Sequence, residues 1–201
     1  ITYRRVWEDG VEVSNSIVKT EIIQEAIPEI VMIGTQSPFA SLSIPGKIAY
    51  ISAGNAWVME ATTGNRRAVV TTGDLDGQIF SLSPDGTWLL FTRGVNDANA
   101  INQLWAARLD SDELFLLDLG VSNVIHFADW GAGLSVVGYS TVEPRSMAPG
   151  WQANNDLAII GVSPSGFVSP ARPELETNSG GVYGWWGMDF RWAGDGIRLA
   201  Y

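Results

Sequence analysis

His126 is the only histidine in the 201 residues, and there is no cysteine. A Ser-His-Asp triad would have to use that one imidazole, and a metal site would find neither a second imidazole nor a thiolate. His126 lies in Val124-Ile125-His126-Phe127, an apolar run that reads as an inner strand. A packed structural histidine is the expectation there. Carboxylates are more plentiful. Asp74 with Asp76, Asp110 with Asp112, Asp129 and Asp189 are the candidates for a glycosidase pair. Most stand beside Gly or Ser, where Asp bonds its own backbone in a turn. Gly73-Asp74-Leu75-Asp76-Gly77 has only part of the Asp-x-Asp-x-Asp-Gly calcium pattern, so it too reads as a turn. Gly161-Val162-Ser163-Pro164-Ser165-Gly166 misses the Gly-x-Ser-x-Gly elbow, and neither phosphate-binding glycine motif occurs. The expectation is a non-enzyme without cofactor or metal.

Tryptophan is the remaining chemistry-bearing residue, with nine copies. Exposed indoles stack on sugar faces and anchor protein interfaces. Trp57, Trp88 and Trp105 fall inside apolar runs and should pack, while Trp185-Trp186 precedes an inner strand and reads either way. Trp151 stands apart, in a long stretch from Glu143 to Asp156 that shows no strand pattern.

The totals bound the class. Hydrophobic residues make up 46% and charged residues 17%, the balance of a folded chain. Twenty-two glycines recur between short apolar runs, which suits many tight turns and hence β structure. Twelve Lys plus Arg against 22 Asp plus Glu leave a net charge of −10. That balance lacks the basic footprint of nucleic-acid binding and disfavours anionic membrane surfaces. No stretch approaches the roughly 20 apolar residues of a membrane span. Ile1-Thr2-Tyr3-Arg4-Arg5 is not followed by the apolar core of a signal peptide, so an export signal would lie outside this chain.

The first elements are legible. In Val6-Trp7-Glu8-Asp9-Gly10-Val11-Glu12-Val13 an Asp-Gly pair separates two β-prone runs, the strongest short hairpin signal. The second strand is expected from about Val11 to Ile23, and a third over Glu29–Ile33, ending at Gly34. Tyr3, Asp9-Gly10, Glu12-Val13 and Gly34-Thr35 together resemble the C-terminal half of the five-glycine ("G-five") domain. That resemblance covers residues 1–36 and implies an extracellular, bacterial cell-wall setting and binding of N-acetylglucosamine-containing glycan. The family's front half is absent from these residues. A piece of 36 residues is small for a core of its own.

Residues 37–46, rich in Ser, Pro and Gly, read as a linker. Beyond them the apolar runs repeat. Phe127 follows Phe80 by 47 residues and Gly133 follows Gly86 by 47, while Phe190 to Tyr201 repeats the frame of Phe80 to Phe91. Periods of about 40–50 with several short strands indicate propeller blades. Phe80-Ser81-Leu82-Ser83-Pro84-Asp85-Gly86, followed by Leu89 to Phe91, resembles the TolB-like, WD-related β-propeller repeat. Ser83-Pro84-Asp85-Gly86-Thr87-Trp88 also approaches a sialidase-type Asp box, but two spacer residues are missing. One blade should have strands near 78–82, 88–93, 103–109 and 114–118. The blade before it has only 47–52, 56–61 and 66–71, without an innermost strand.

The expected architecture is therefore all-β: half a five-glycine module over 1–36, a linker over 37–46, then TolB-like blades over 47–201. It comprises three blades and the start of a fourth, an incomplete ring cut at both ends. Open strand edges would favour self-association. Strand alternation puts the loops at 94–102, 143–156 and 170–181 on one face and the Ser-Pro-Asp-Gly turns on the other. Long loops often hold binding residues. The candidate ligand-binding residues are Trp151, Asn154, Asp156, Asp97 and Asn99. The function expected is non-catalytic binding or scaffolding at a bacterial cell surface or envelope, with wall glycan or protein as partner. The alternative is an accessory region of a larger wall-acting peptidase or glycosidase whose active site lies elsewhere.

Overall fold

The structure, a computed structural model, describes residues 1–21, 40–97, 99–111, 113–131, 136–178 and 185–201. It divides into two compact units, Ile1–Phe39 and Ala40–Tyr201. Both are all-β, and no helix occurs among the described residues.

In the first unit β1 (Thr2–Glu8) and β2 (Val11–Lys19) form an antiparallel hairpin. Asp9 and Gly10 take φ of 49° and 81°. Two successive left-handed residues give the turn twist that matches paired strands, and Asp and Gly tolerate that conformation best. β2 stops at Lys19, before the expected Ile23. The third strand expected over 29–33 lies outside the described residues. Tyr3 pairs with Ile17 across the ladder, and both stay more than half exposed.

The second unit is a series of antiparallel sheets. β3 (Ser43–Ser52) pairs with β4 (Asn55–Val70). β3 therefore begins inside the stretch expected to be linker, with a register shift between Ser43 and Lys47 that accommodates Pro45 and Gly46. β4 is recorded as one 16-residue run, yet it cannot be straight. Laid out at ~3.3 Å per residue it would span about 50 Å. Leu75 N–H nevertheless donates to Gly54 O at 3.1 Å, and the few residues from Val70 to Leu75 reach no more than about 18 Å. The run doubles back, and Ala61, at φ 62°, lies between its two halves. The expected strands at 56–61 and 66–71 are those halves.

β5 (Leu75–Leu82), β6 (Trp88–Asp97), β7 (Ala100–Arg108) and β8 (Leu116–Ser122) form a four-stranded meander. β9 (Ala128–Trp130) and β10 (Val136–Tyr139) open the next sheet. A ribbon of β11 (Val142–Pro144) and β12 (Trp151–Ala153) follows, then β13 (Leu157–Gly161) and β14 (Arg172–Leu175) complete that sheet. β15 (Arg191–Trp192) pairs with β16 (Leu199–Ala200).

The sheets stack face to face, and alternation along the strands divides the core. Leu89 and Phe91 turn toward β3–β4 and join Ala56, Val58, Val69 and Val70. Leu90, Leu104 and Ala106 turn the other way and join Trp130, Val137 and Ile160 of the β9–β14 sheet. Phe127 and Leu157 meet Phe190, just before β15.

Register corrects the repeat. Phe80 pairs with Phe91, and Ala128 pairs with Tyr139, 48 residues later on both strands. Phe80 thus corresponds to Ala128, and Phe127 corresponds to Ile79. The period of 47 slips by one residue, which moves Phe127 to the opposite face of its sheet. The Phe190-to-Tyr201 frame keeps the register of Phe80 to Phe91, since Arg191 pairs with Ala200 as Ser81 does with Leu90.

Candidate functional site

The two ends of the second unit are built differently. At one end the reversals are short and repeat their bonds. Ser83 N–H donates to Trp88 O, Gly131 N–H to Val136 O and Ala193 N–H to Arg198 O, at 2.7–2.9 Å. In the first of these turns Asp85 accepts from the Ser83 hydroxyl and from Thr87 N–H and Oγ1. Burial works to raise the Asp85 carboxyl, but those hydrogen bonds outweigh it and hold it below the usual carboxylate range.

The opposite end carries the connections between sheets, fastened by asparagines. Asn102 is fully buried; its Oδ1 accepts from Val124 N–H and its Nδ2 donates to Val124 O, each at 2.8 Å. Its Nδ2 also reaches Asp76 Oδ2 at 2.8 Å, and Asp76 bonds Thr92 Oγ1. Asn155, 53 residues on, accepts from Met188 N–H at 2.8 Å and donates to Asn178 O at 2.7 Å. Asn55 accepts from Gly73 N–H at 2.8 Å. In each case one carboxamide at the entry to a strand holds the chain that leads into the next sheet.

The residues expected to bind a ligand separate into two places. Asp97 and Asn99 sit at the exposed tip of the β6–β7 hairpin, where Asn99 N–H donates to Asp97 Oδ1 at 2.8 Å. Trp151, Asn154 and Asp156 gather at the ribbon, which stands where a strandless loop was expected. Asn154 Nδ2 donates to Thr141 Oγ1, and Asp156 accepts from Thr141 N–H, Thr141 Oγ1 and Ser140 Oγ. Both side chains therefore fasten the ribbon to the sheet.

His126 lies in a bend before β9, not on a strand, and is only half-buried. Its ring has two close neighbours. Trp151 stacks on it with centroids 6.2 Å apart at 24°, and a Cβ on Gly187 would stand 2.8 Å from its Cδ2 and Nε2. Among the described residues neither ring nitrogen has a hydrogen-bond partner. Trp186 meets Trp151 edge-on at 6.4 Å and is 64% exposed. Burial pushes the imidazole below its ordinary range, against the nearby Asp156 carboxylate, which favours the charged form.

The other acids serve the fold. Asp74 takes a bidentate contact from Arg93, 2.7 Å at the shortest, and Arg93 lies over the Trp105 ring. Asp110 pairs with Arg108, Asp129 accepts from Ser81, and Asp189 pairs with Arg191. Asp112 lies outside the described residues. Ser81, Asp129 and Arg191 hold matching register positions on β5, β9 and β15, and together with Gln78, His126 and Asp189 they line one polar cleft of about 420 Å³. A second hollow of about 640 Å³ opens at the short-turn end, lined by Asp85, Asp129, Trp192 and Asp195.

One comparison bears on the segment that holds the first hairpin. Residues 1–36 match the family model of the G5 domain. The G5 domain is a cell-surface, wall-associated binding module, and the match supports a coarse envelope location. No curated protein and no solved structure matches the chain. The match accounts for Tyr3, Asp9-Gly10 and Gly34-Thr35 as parts of one G5 segment.

The fastening asparagines went unrecognised in the sequence. The signal open to detection was an Asn recurring near the start of successive third strands, at 55, 102 and 155.

Proposed function

We propose that this chain is a non-catalytic binding and scaffolding region of an exported bacterial cell-surface protein, in which a G5 segment is followed by β-propeller blades. The observation that carries the reading is the G5 match over residues 1–36, on a hairpin whose Asp9-Gly10 turn has the required geometry. The propeller reading draws support from the face-to-face sheets and from register repeated at 48 residues. The strands β5, β9 and β15 that edge successive sheets also line a single cleft, as inner strands around an axis would.

The partner is wall glycan containing N-acetylglucosamine, or failing that a wall-associated protein. The binding surface lies at the long-loop end, where the exposed Trp186 face backs onto Trp151 and the Asp97–Asn99 tip is open to solvent. Indole faces stack on sugar rings while neighbouring carboxamides and carboxylates orient hydroxyls.

Titration of the full chain with N-acetylglucosamine oligomers, followed by calorimetry and tryptophan fluorescence, tests this directly. Binding with a shift in indole emission is expected, and Trp151→Ala or Trp186→Ala should weaken it by more than about 1 kcal/mol. Absence of heat and of any emission change would remove glycan as the ligand. Unchanged affinity in both variants would remove the long-loop end as its site.

A further inference from the structure

The surroundings of His126 have features that ordinary core packing does not require. An imidazole whose nitrogens are buried normally places at least one of them on a partner, because an unmade bond leaves its desolvation uncompensated. His126 places neither. Its ring instead packs closely on the Gly187 backbone and stacks with the Trp151 indole. Two separate segments meet there: the β11–β12 ribbon, through Trp151, and the connection into β15, through Trp186 and Gly187. They are also linked by Ala153 N–H donating to Trp185 O at 3.2 Å.

We propose that His126 is a pH-sensitive latch, whose neutral ring holds the β11–β12 ribbon and the 185–188 connection closed and whose protonation releases them.

Adding a proton makes both nitrogens donors, and among the described residues no acceptor is in place for either. The surrounding charges set the balance. Asp156, from the segment between β12 and β13, is the carboxylate that acts on the ring and favours its protonation. Asp129, Asp189 and Arg191 line the same cleft, and Asp189 and Arg191 pair with one another. On the ribbon Glu143 and Arg145 pair with one another at 2.6 Å. Asp156 is already engaged by Ser140 and Thr141. Burial therefore outweighs attraction, and the folded imidazole is harder to protonate than the unfolded one. The latch is fully closed above the ordinary histidine value of about 6.5 and opens as pH falls from there through the lower folded value.

His126 is the only histidine, so its Cε1 proton gives a single resonance that can be followed in the intact chain. The expected result is a ring-current-shifted signal with a midpoint below about 6.5, together with faster exchange of amides 142–144 and 151–153. After correction for the intrinsic rate, their protection should fall between about pH 7.5 and about pH 5, as the ring takes up its proton. Far-UV circular dichroism should remain unchanged over that interval. His126→Phe keeps a stacked ring without a titrating proton and should abolish the change in protection. A midpoint at or above about 6.5 would overturn the proposal. So would ribbon protection that does not respond to pH, or an equal response in His126→Phe. If that variant fails to fold, the wild-type resonance and exchange data decide the matter alone.

Discussion

Asn102 makes its hydrogen bonds with no exposed surface, so its loss should be felt at once. Asn102→Ala leaves the buried Val124 N–H and C=O without their partner and takes one donor from Asp76 Oδ2. The expected cost is about 3 kcal/mol, read from the urea midpoint. Asn55→Ala, at an exposed hairpin, should cost less than about 1 kcal/mol by the same measurement. The Arg93–Asp74 pair gives a different dependence. Burial tends to raise the Asp74 carboxyl, but bonds from Arg93 and Thr72 and the guanidinium charge outweigh it and leave the folded value lowered. Its contribution is therefore present above the unfolded value of about 3.9 and is lost as pH falls through the folded one. Asp74→Asn should be less stable than the wild type near pH 7, with the gap narrowing in urea melts as pH falls below about 3.9. Residue roles were unevenly legible in the sequence. The turn function of Asp85 could be read because Ser83, Gly86 and Thr87 are adjacent. The fastening by Asn102 could not, because Asp76 and Val124 are far from it in the chain and nothing local marks them.

At the scale of elements, Gly138 shows how closely the sheets approach. A Cβ there would stand 3.0 Å from Trp192 Cζ2, and Trp192 Nε1–H donates to Asp129 O at 3.3 Å. Gly138→Val should push the indole out and cost about 1–3 kcal/mol, with a red shift of tryptophan emission. An unaltered spectrum and urea midpoint would show that β15–β16 packs elsewhere. The same intimacy explains what the sequence concealed. The β5–β8 sheet is apolar on both faces, so alternation gave no phase, and Phe127 was aligned with Phe80 although it matches Ile79. Turn chemistry was the dependable guide. Asp9-Gly10 and Ser83-Pro84-Asp85-Gly86 each fixed a reversal correctly, whereas β11 and β12 were missed because three residues apiece carry too little pattern.

For the molecule as a whole, charge and strand pairing act in opposite directions. Among the described residues β3 pairs only with β4, leaving one edge of a ten-residue strand open. Such an edge can template another strand, while a net charge of −10 keeps copies apart. Salt weakens the second effect, shortening the screening length from ~30 Å at 0.01 M to ~3 Å at 1 M. Sedimentation velocity should therefore show an average mass that rises with both protein concentration and ionic strength. A constant monomer mass throughout would sink the idea of association through open edges.

Because each apolar cluster of the second unit is shared by two successive sheets, the middle of the series is gripped from both sides and its extremities from one. Partial denaturation should then proceed as peeling. β15–β16 would fray first, and β6 and β7 would keep their amide hydrogens longest, in a hierarchy that follows position along the series more closely than strand length.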